Sequence, residues 1–231
     1  MALLRFASAL SAVTTTFLPL TTAQAPTGTP YTDPTTNISF ATWSTPEASG
    51  TGPLNFGLTL PSTALDSDAT DFIGYLTCRP ATGWCGISLG GSMTDSLLVV
   101  AYADSESKAV KHTLRYTSEY ELPAVYKGNA TLTPIHTELQ EESFTSVFHC
   151  KDCLHWEQDG NIVGAASTSS GMLDLAFAVS PEEPSNAACA DEAVFVRHAN
   201  QGTWVAFVDE GGVSGEFERW AGMAKGGGDG C

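Results

Sequence analysis

The feature that most limits what this chain can fold into is the length of its apolar runs. Alternating or apolar stretches recur at residues 38–43, 54–60, 72–78, 84–89, 96–103, 110–116, 130–136, 143–150, 172–180, 193–198 and 203–209, each rich in β-branched or aromatic side chains. These are strand lengths. Clusters of Gly, Pro, Asp and Ser separate them, as at residues 46–53 and 180–185. That spacing belongs to antiparallel sheets rather than to βαβ units. The sequence therefore predicts an all-β fold, an antiparallel, immunoglobulin-like β-sandwich. One segment departs from the pattern: Phe217, Trp220, Ala221 and Ala224 recur at helical spacing and predict a short C-terminal helix capping the sandwich.

The flanks place the chain in a compartment. Residues 1–23 carry Arg5, an apolar stretch and the small-residue end Thr21-Thr22-Ala23, the layout of a secretory signal peptide cut after Ala23 to leave Gln24 first. An extended, Pro- and Thr-rich N-terminal arm follows at residues 24–36, then the sandwich at 37–225 and a Gly-rich tail at 226–231. No later stretch approaches the roughly 18 apolar residues of a membrane helix, so the mature chain is expected to be secreted, extracellular and free of the membrane. Six cysteines suit that oxidising environment as disulfides. Asn37-Ile38-Ser39 and Asn129-Ala130-Thr131 are glycosylation sequons. Loss of Arg5 with the leader takes the formal charge from −16 to −17. A chain this acidic excludes nucleic acid as a partner.

Motifs for group-transfer chemistry are missing. There is no nucleophile elbow, Walker loop or dinucleotide fingerprint, and Gln24 as first residue rules out a copper site built on an N-terminal histidine. The Glu141-Glu142 and Glu182-Glu183 pairs lie in polar loops, where solvation explains them. In His149-Cys150-Lys151-Asp152-Cys153-Leu154-His155, Leu154 separates the second cysteine from the histidine, so the segment is not a c-type haem attachment site. A Cys150–Cys153 disulfide is the simpler reading, with Cys78–Cys85 stapling a hairpin and Cys189 left for Cys231. Met172 and Met223 read as core, and His112 and His136 as surface. Met93 follows Gly90-Gly91 at a strand end, where a side chain can project into a cleft. His198 stands in a matching position, after the apolar run from Ala193 and before Gly202.

Taken together, Tyr31-Thr32-Asp33, residues 38–43, residues 69–78, Gly83-Trp84-Cys85-Gly86-Ile87-Ser88-Leu89-Gly90-Gly91-Ser92-Met93, residues 148–156 and residues 195–204 resemble the cytochrome domain of fungal cellobiose dehydrogenase and related secreted fungal cytochromes. The resemblance implies a sandwich holding one non-covalent haem b, with Met93 and His198 as axial ligands. Arg115 and Tyr120 are the candidate donors to its propionates. Trp84, Phe195 and Trp204 are candidates for its apolar surroundings, while Arg197 is expected to turn away from His198 on a strand. The implied function is that of an iron-reductase domain: single electrons pass from a flavin dehydrogenase to a copper polysaccharide monooxygenase, a quinone or ferric iron, carried by a monomer. In cellobiose dehydrogenase a flavin domain follows the cytochrome, whereas this sequence stops at Cys231. A second reading is a haem-free carbohydrate-binding module that would use Trp43 or Trp156 as an exposed stacking platform.

Overall fold

A computed structural model describes residues 27–46, 53–158 and 161–226. Two antiparallel sheets face each other. The first runs in the order β1 (Thr29–Thr32), β2 (Ser39–Ser44), β3 (Asn55–Pro61), β4 (Phe72–Cys78), β10 (Phe144–Lys151), β9 (Thr131–Leu139), with the short β15 (Val213–Ser214) parallel to β3. The second runs β14 (Asn200–Phe207), β13 (Met172–Ser180), β5 (Trp84–Ser88), β6 (Leu98–Asp104), β7 (Ala109–Tyr116), β8 (Ala124–Val125). A separate hairpin joins β11 (His155–Gln158) to β12 (Asn161–Ala165).

Period-two alternation explains the layers. Cys85 and Ile87, Val99 and Ala101, and Leu175, Phe177 and Val179 point from the second sheet into one core with Phe56, Phe72, Leu76 and Phe148 of the first. On the second sheet's other face, Trp84, Val100 and Tyr102 form a separate cluster with Ala193 and Phe195. β5 is consequently buried along its whole length, which is why its sequence reads as a continuous apolar run. The first sheet's outer face is covered by the C-terminal helix α1 (Phe217–Ala221), whose Phe217 and Trp220 pack on Ile38, Phe40, Ile73 and Val147.

Several expectations change. The helix ends at Ala221, so Ala224 lies beyond it. Residues 193–198 form no ladder; Val194 makes an isolated bridge to Ser185, and regular pairing starts only at Asn200. Within the stretch read as an arm, Thr29–Thr32 pairs with β2 as an edge strand. His112 is only 5% exposed, held between the sheets by a 2.6 Å bond to Ser146 Oγ and packed against Phe148. Met172, expected in the core, is 50% exposed opposite Phe207. Both follow from register: one position along a strand moves a side chain to the opposite face. The Cys78–Cys85 and Cys150–Cys153 disulfides form as expected. The signal segment 1–23, Gln24 and Cys231, the expected partner of Cys189, fall outside the described residues.

A polar clamp fixes the end of β10. Asp71 accepts from the Asp152 N–H at 2.8 Å and from Thr70 Oγ1 at 2.9 Å, and its other oxygen lies 3.2 Å from His149 Nε2. The Cys150–Cys153 bridge closes the turn that presents Asp152, whose φ is 57°. Burial alone pushes the Asp71 carboxyl up, but the bonds from His149, Asp152 and Thr70 outweigh it and hold the pKa below its ordinary 3.8. Because the folded value lies below the unfolded one, the unfolded chain binds the proton first as pH falls. The clamp's contribution is complete above the unfolded value and lost as pH drops through the folded one. Asp71→Asn is expected to lower stability at neutral pH by about 1–2 kcal/mol, measured by urea unfolding. The gap to the parent should close in parallel titrations below the ordinary carboxylate value of 3.8.

Candidate functional site

The outer face of the second sheet carries a cavity of about 910 Å³, at the upper end of the roughly 300–1,000 Å³ usual for small-molecule and cofactor sites. Its floor is made of small residues. Gly86 and Ser88 of β5 lie opposite Ala178 and Ala176 of β13 in register, and all four line the cavity. Trp84, Leu98, Val100 and Phe195 supply apolar walls, with Trp84 and Phe195 edge to face at 5.6 Å. Met93, His198, Arg115 and Tyr120 all line this one cavity, although they come from four separate segments.

Met93 sits in the loop between β5 and β6, and that loop is tied down on three sides. Leu89 N–H donates to the Leu97 carbonyl at 3.1 Å and closes the neck. Ser88 Oγ donates to the Ser92 carbonyl at 2.5 Å, one residue before Met93. On the far side, Asp95 N–H donates to the Thr117 carbonyl at 2.8 Å and Tyr116 donates to the Asp95 carboxylate at 3.3 Å. Gly91 is favoured by its φ of +72°, and a Cβ there would also sit tightly, 3.1 Å from that of Asp174.

His198 follows the extended segment that crosses the cavity from the Val194 bridge, and the Ala199 N–H to Val179 carbonyl bond, 2.8 Å, anchors it to β13. Burial pushes its pKa down, the neighbouring Arg197 charge adds to the effect, and a bond within its own backbone opposes them. Burial and the Arg197 charge thus favour the neutral imidazole, the form that ligates a metal. Arg197 also lines the cavity. With no ladder at residues 193–198, strict strand alternation does not apply there.

Arg115 is only 5% exposed. Its Nη2 donates to the Ala190 and Ala193 carbonyls at 2.7 and 3.0 Å, its Nε to Thr113 Oγ1 at 3.1 Å, and its guanidinium lies over the Phe195 ring at 5.1 Å. It therefore positions the segment that leads to His198. Among the described residues no carboxylate lies within ion-pair distance of it. Burial pulls its pKa down, and the Tyr102 and Asp191 charges oppose that shift. Tyr120, by contrast, stands at the rim and is 85% exposed.

Two other expectations are revised. Trp204 packs on Phe56 and Phe177 and lines a different, smaller cleft of about 200 Å³ that contains no titratable side chain. Trp43 and Trp156, the platforms of the carbohydrate reading, are buried. Sequence reading missed the small floor residues Ala176 and Ala178. Their signal was small size at alternate positions of an otherwise bulky strand.

The residues present fit a haem. A thioether, an imidazole, apolar walls and a cation with no carboxylate at ion-pair distance among the described residues share one cavity, and none of the described cysteines lines it. The family model "Cytochrome domain of cellobiose dehydrogenase" matches residues 31–227. The chain belongs to that family. A solved cytochrome domain of Myriococcum thermophilum cellobiose dehydrogenase is 37% identical with a TM-score of 0.81, the match covering 86% of this chain and 96% of that one. The cytochrome b domain of pyranose dehydrogenase from Coprinopsis cinerea shares the fold at 19% identity and a TM-score of 0.67, over 85% and 95% of the two chains. A pyrroloquinoline quinone-dependent pyranose dehydrogenase of the same organism is 26% identical over 137 residues, 57% of this chain and 18% of its own length. This chain thus spans under a fifth of that relative. Membership implies haem b and electron transfer as the general role.

Arg115→Leu is expected to release the 190–198 segment, lowering stability by about 1–3 kcal/mol. Hydrogen exchange should accelerate in peptides covering residues 185–198 and leave β4 and β10 at parent rates.

Proposed function

We propose that this chain is a secreted b-type cytochrome that relays single electrons and holds its haem non-covalently, with Met93 and His198 as axial ligands. The observation that carries the reading is the convergence on one apolar cavity of Met93 and His198 with the buried Arg115. Bound there, haem b supplies a one-electron ferric–ferrous couple. The Met93 thioether, a soft donor, would favour the ferrous form and raise the potential, while the His198 imidazole, whose neutral form burial favours, would serve both oxidation states. Held by both Met93 and His198, the iron would offer oxygen no open position. Arg115 offers its charge to a propionate, and Tyr120 offers a hydroxyl at the solvent-facing rim. Non-covalent binding is supported by the cysteines: Cys78, Cys85, Cys150 and Cys153 are spent in disulfides.

The donor fitting this role is a flavin dehydrogenase, and the acceptors are a copper polysaccharide monooxygenase, a quinone or ferric iron. Secretion and a monomeric state complete the reading. Among the described residues no helix is long and apolar enough to cross a membrane. The carbohydrate-module alternative loses its support, because Trp43 and Trp156 present no exposed ring on which a sugar can stack.

Protein produced with excess haem is expected to show a low-spin b-type spectrum that sharpens on dithionite reduction. Met93→Ala and His198→Ala should each lose the six-coordinate signature; a colourless parent protein would overturn the proposal. Ser88→Ala tests how the ligand is positioned. Loss of the bond to the Ser92 carbonyl should loosen Met93, so the variant should keep haem yet show a mixed-spin fraction and a lower reduction potential.

A further inference from the structure

Gly86 stands in the middle of β5, where glycine weakens a strand by about 0.5–1 kcal/mol relative to alanine. A reason for its presence is therefore required, and the fold does not supply one. Its φ lies outside the left-handed region, and a Cβ built on it would meet Trp84 Cζ3, Val100 Cγ2 and the Val99 carbonyl oxygen, all at 3.6 Å. Those are ordinary contacts. Gly202, on the same sheet, is different: a Cβ there would lie 2.7 Å from the Phe177 ring, so packing alone demands glycine. What a larger side chain at position 86 would occupy is the cavity, because Gly86 belongs to its floor beside Ala178.

We infer that Gly86 is a size-selecting residue of the cofactor site, kept without a side chain so that a bulky macrocycle can close against the sheet. The inference rests on the haem reading of the cavity and adds a sign to it. In the haem-free protein, a methyl group at position 86 fills space beside Trp84 and Val100, so alanine leaves the fold as stable or more stable. In the loaded protein the same methyl group stands where the cofactor must lie. Stability and binding then respond in opposite directions, which a purely structural glycine cannot produce.

The test uses the full chain prepared without haem and titrated with hemin, in the parent and in Gly86→Ala and Gly86→Leu. Thermal unfolding of the haem-free proteins is followed by circular dichroism. Gly86→Ala is expected to melt at or above the parent temperature and to bind hemin about tenfold more weakly. Gly86→Leu should show no Soret shift at hemin concentrations that saturate the parent. Parent-like hemin affinity in Gly86→Ala and Gly86→Leu would overturn the inference and leave the haem reading standing. So would a Gly86→Ala protein that melts well below the parent, since the fold would then need the glycine itself. Should Gly86→Leu fail to fold, Gly86→Ala decides alone. A parent protein that takes up no hemin would remove the haem reading and this inference with it.

Discussion

The antiparallel pairing of β5 with β13 is the contact on which the rest of the structure depends. Residues 84 to 88 run against residues 180 to 176 in unbroken register. The inward members, Cys85, Ile87, Phe177 and Val179, join the inter-sheet core, and the outward members, Gly86, Ser88, Ala176 and Ala178, floor the cavity. A slip of one residue would exchange the two sets. Large side chains would then crowd the cavity while small ones hollowed out the core. Packing and site formation are thus two consequences of one register.

That same alternation decided what could be read from the sequence. The strand-like runs around Phe72, Trp84, Val110 and Phe144 and the Cys78–Cys85 and Cys150–Cys153 disulfides were legible, because period-two patterning and short cysteine spacing are local signals. Residues 193–198 misled for a physical reason. Ala193 and Phe195 are apolar because they cover Trp84 and Tyr102 on the outside of the second sheet, and their backbone is held by Arg115 rather than by a ladder. Apolar character reports burial, and burial here comes from lying across a sheet instead of within one. His112 failed in the opposite way. A polar strand context suggested solvent, whereas Ser146 from the facing sheet satisfies the imidazole inside.

Site legibility divides along similar lines. Met93 and His198 each look ordinary alone, since a methionine in a turn or a histidine at a strand end is more often structural. They gain meaning as a pair, through the flanking motifs and then through the shared cavity. Arg115 was legible as a charge but not as a clamp. Only the fold shows that its carbonyl partners at positions 190 and 193 place it under the segment that leads to His198.

In the proposed haem reading, Arg115 also links the empty and filled states of the cavity. Its backbone partners satisfy hydrogen-bond donors but carry only partial charge, so the guanidinium's full charge remains uncompensated inside. An acidic chain could have placed a carboxylate beside it, and Asp191 is near enough to influence it without pairing. Leaving the cation unpaired keeps its charge available to an entering anion, so a ligand that is apolar on its faces and anionic at its edge completes what the protein leaves unfinished. Binding of such a ligand to the folded state alone adds to stability by mass action. On that reading the stabilisation would pass through the same side chain that holds the His198 segment in place, coupling cofactor capture to ligand positioning through Arg115.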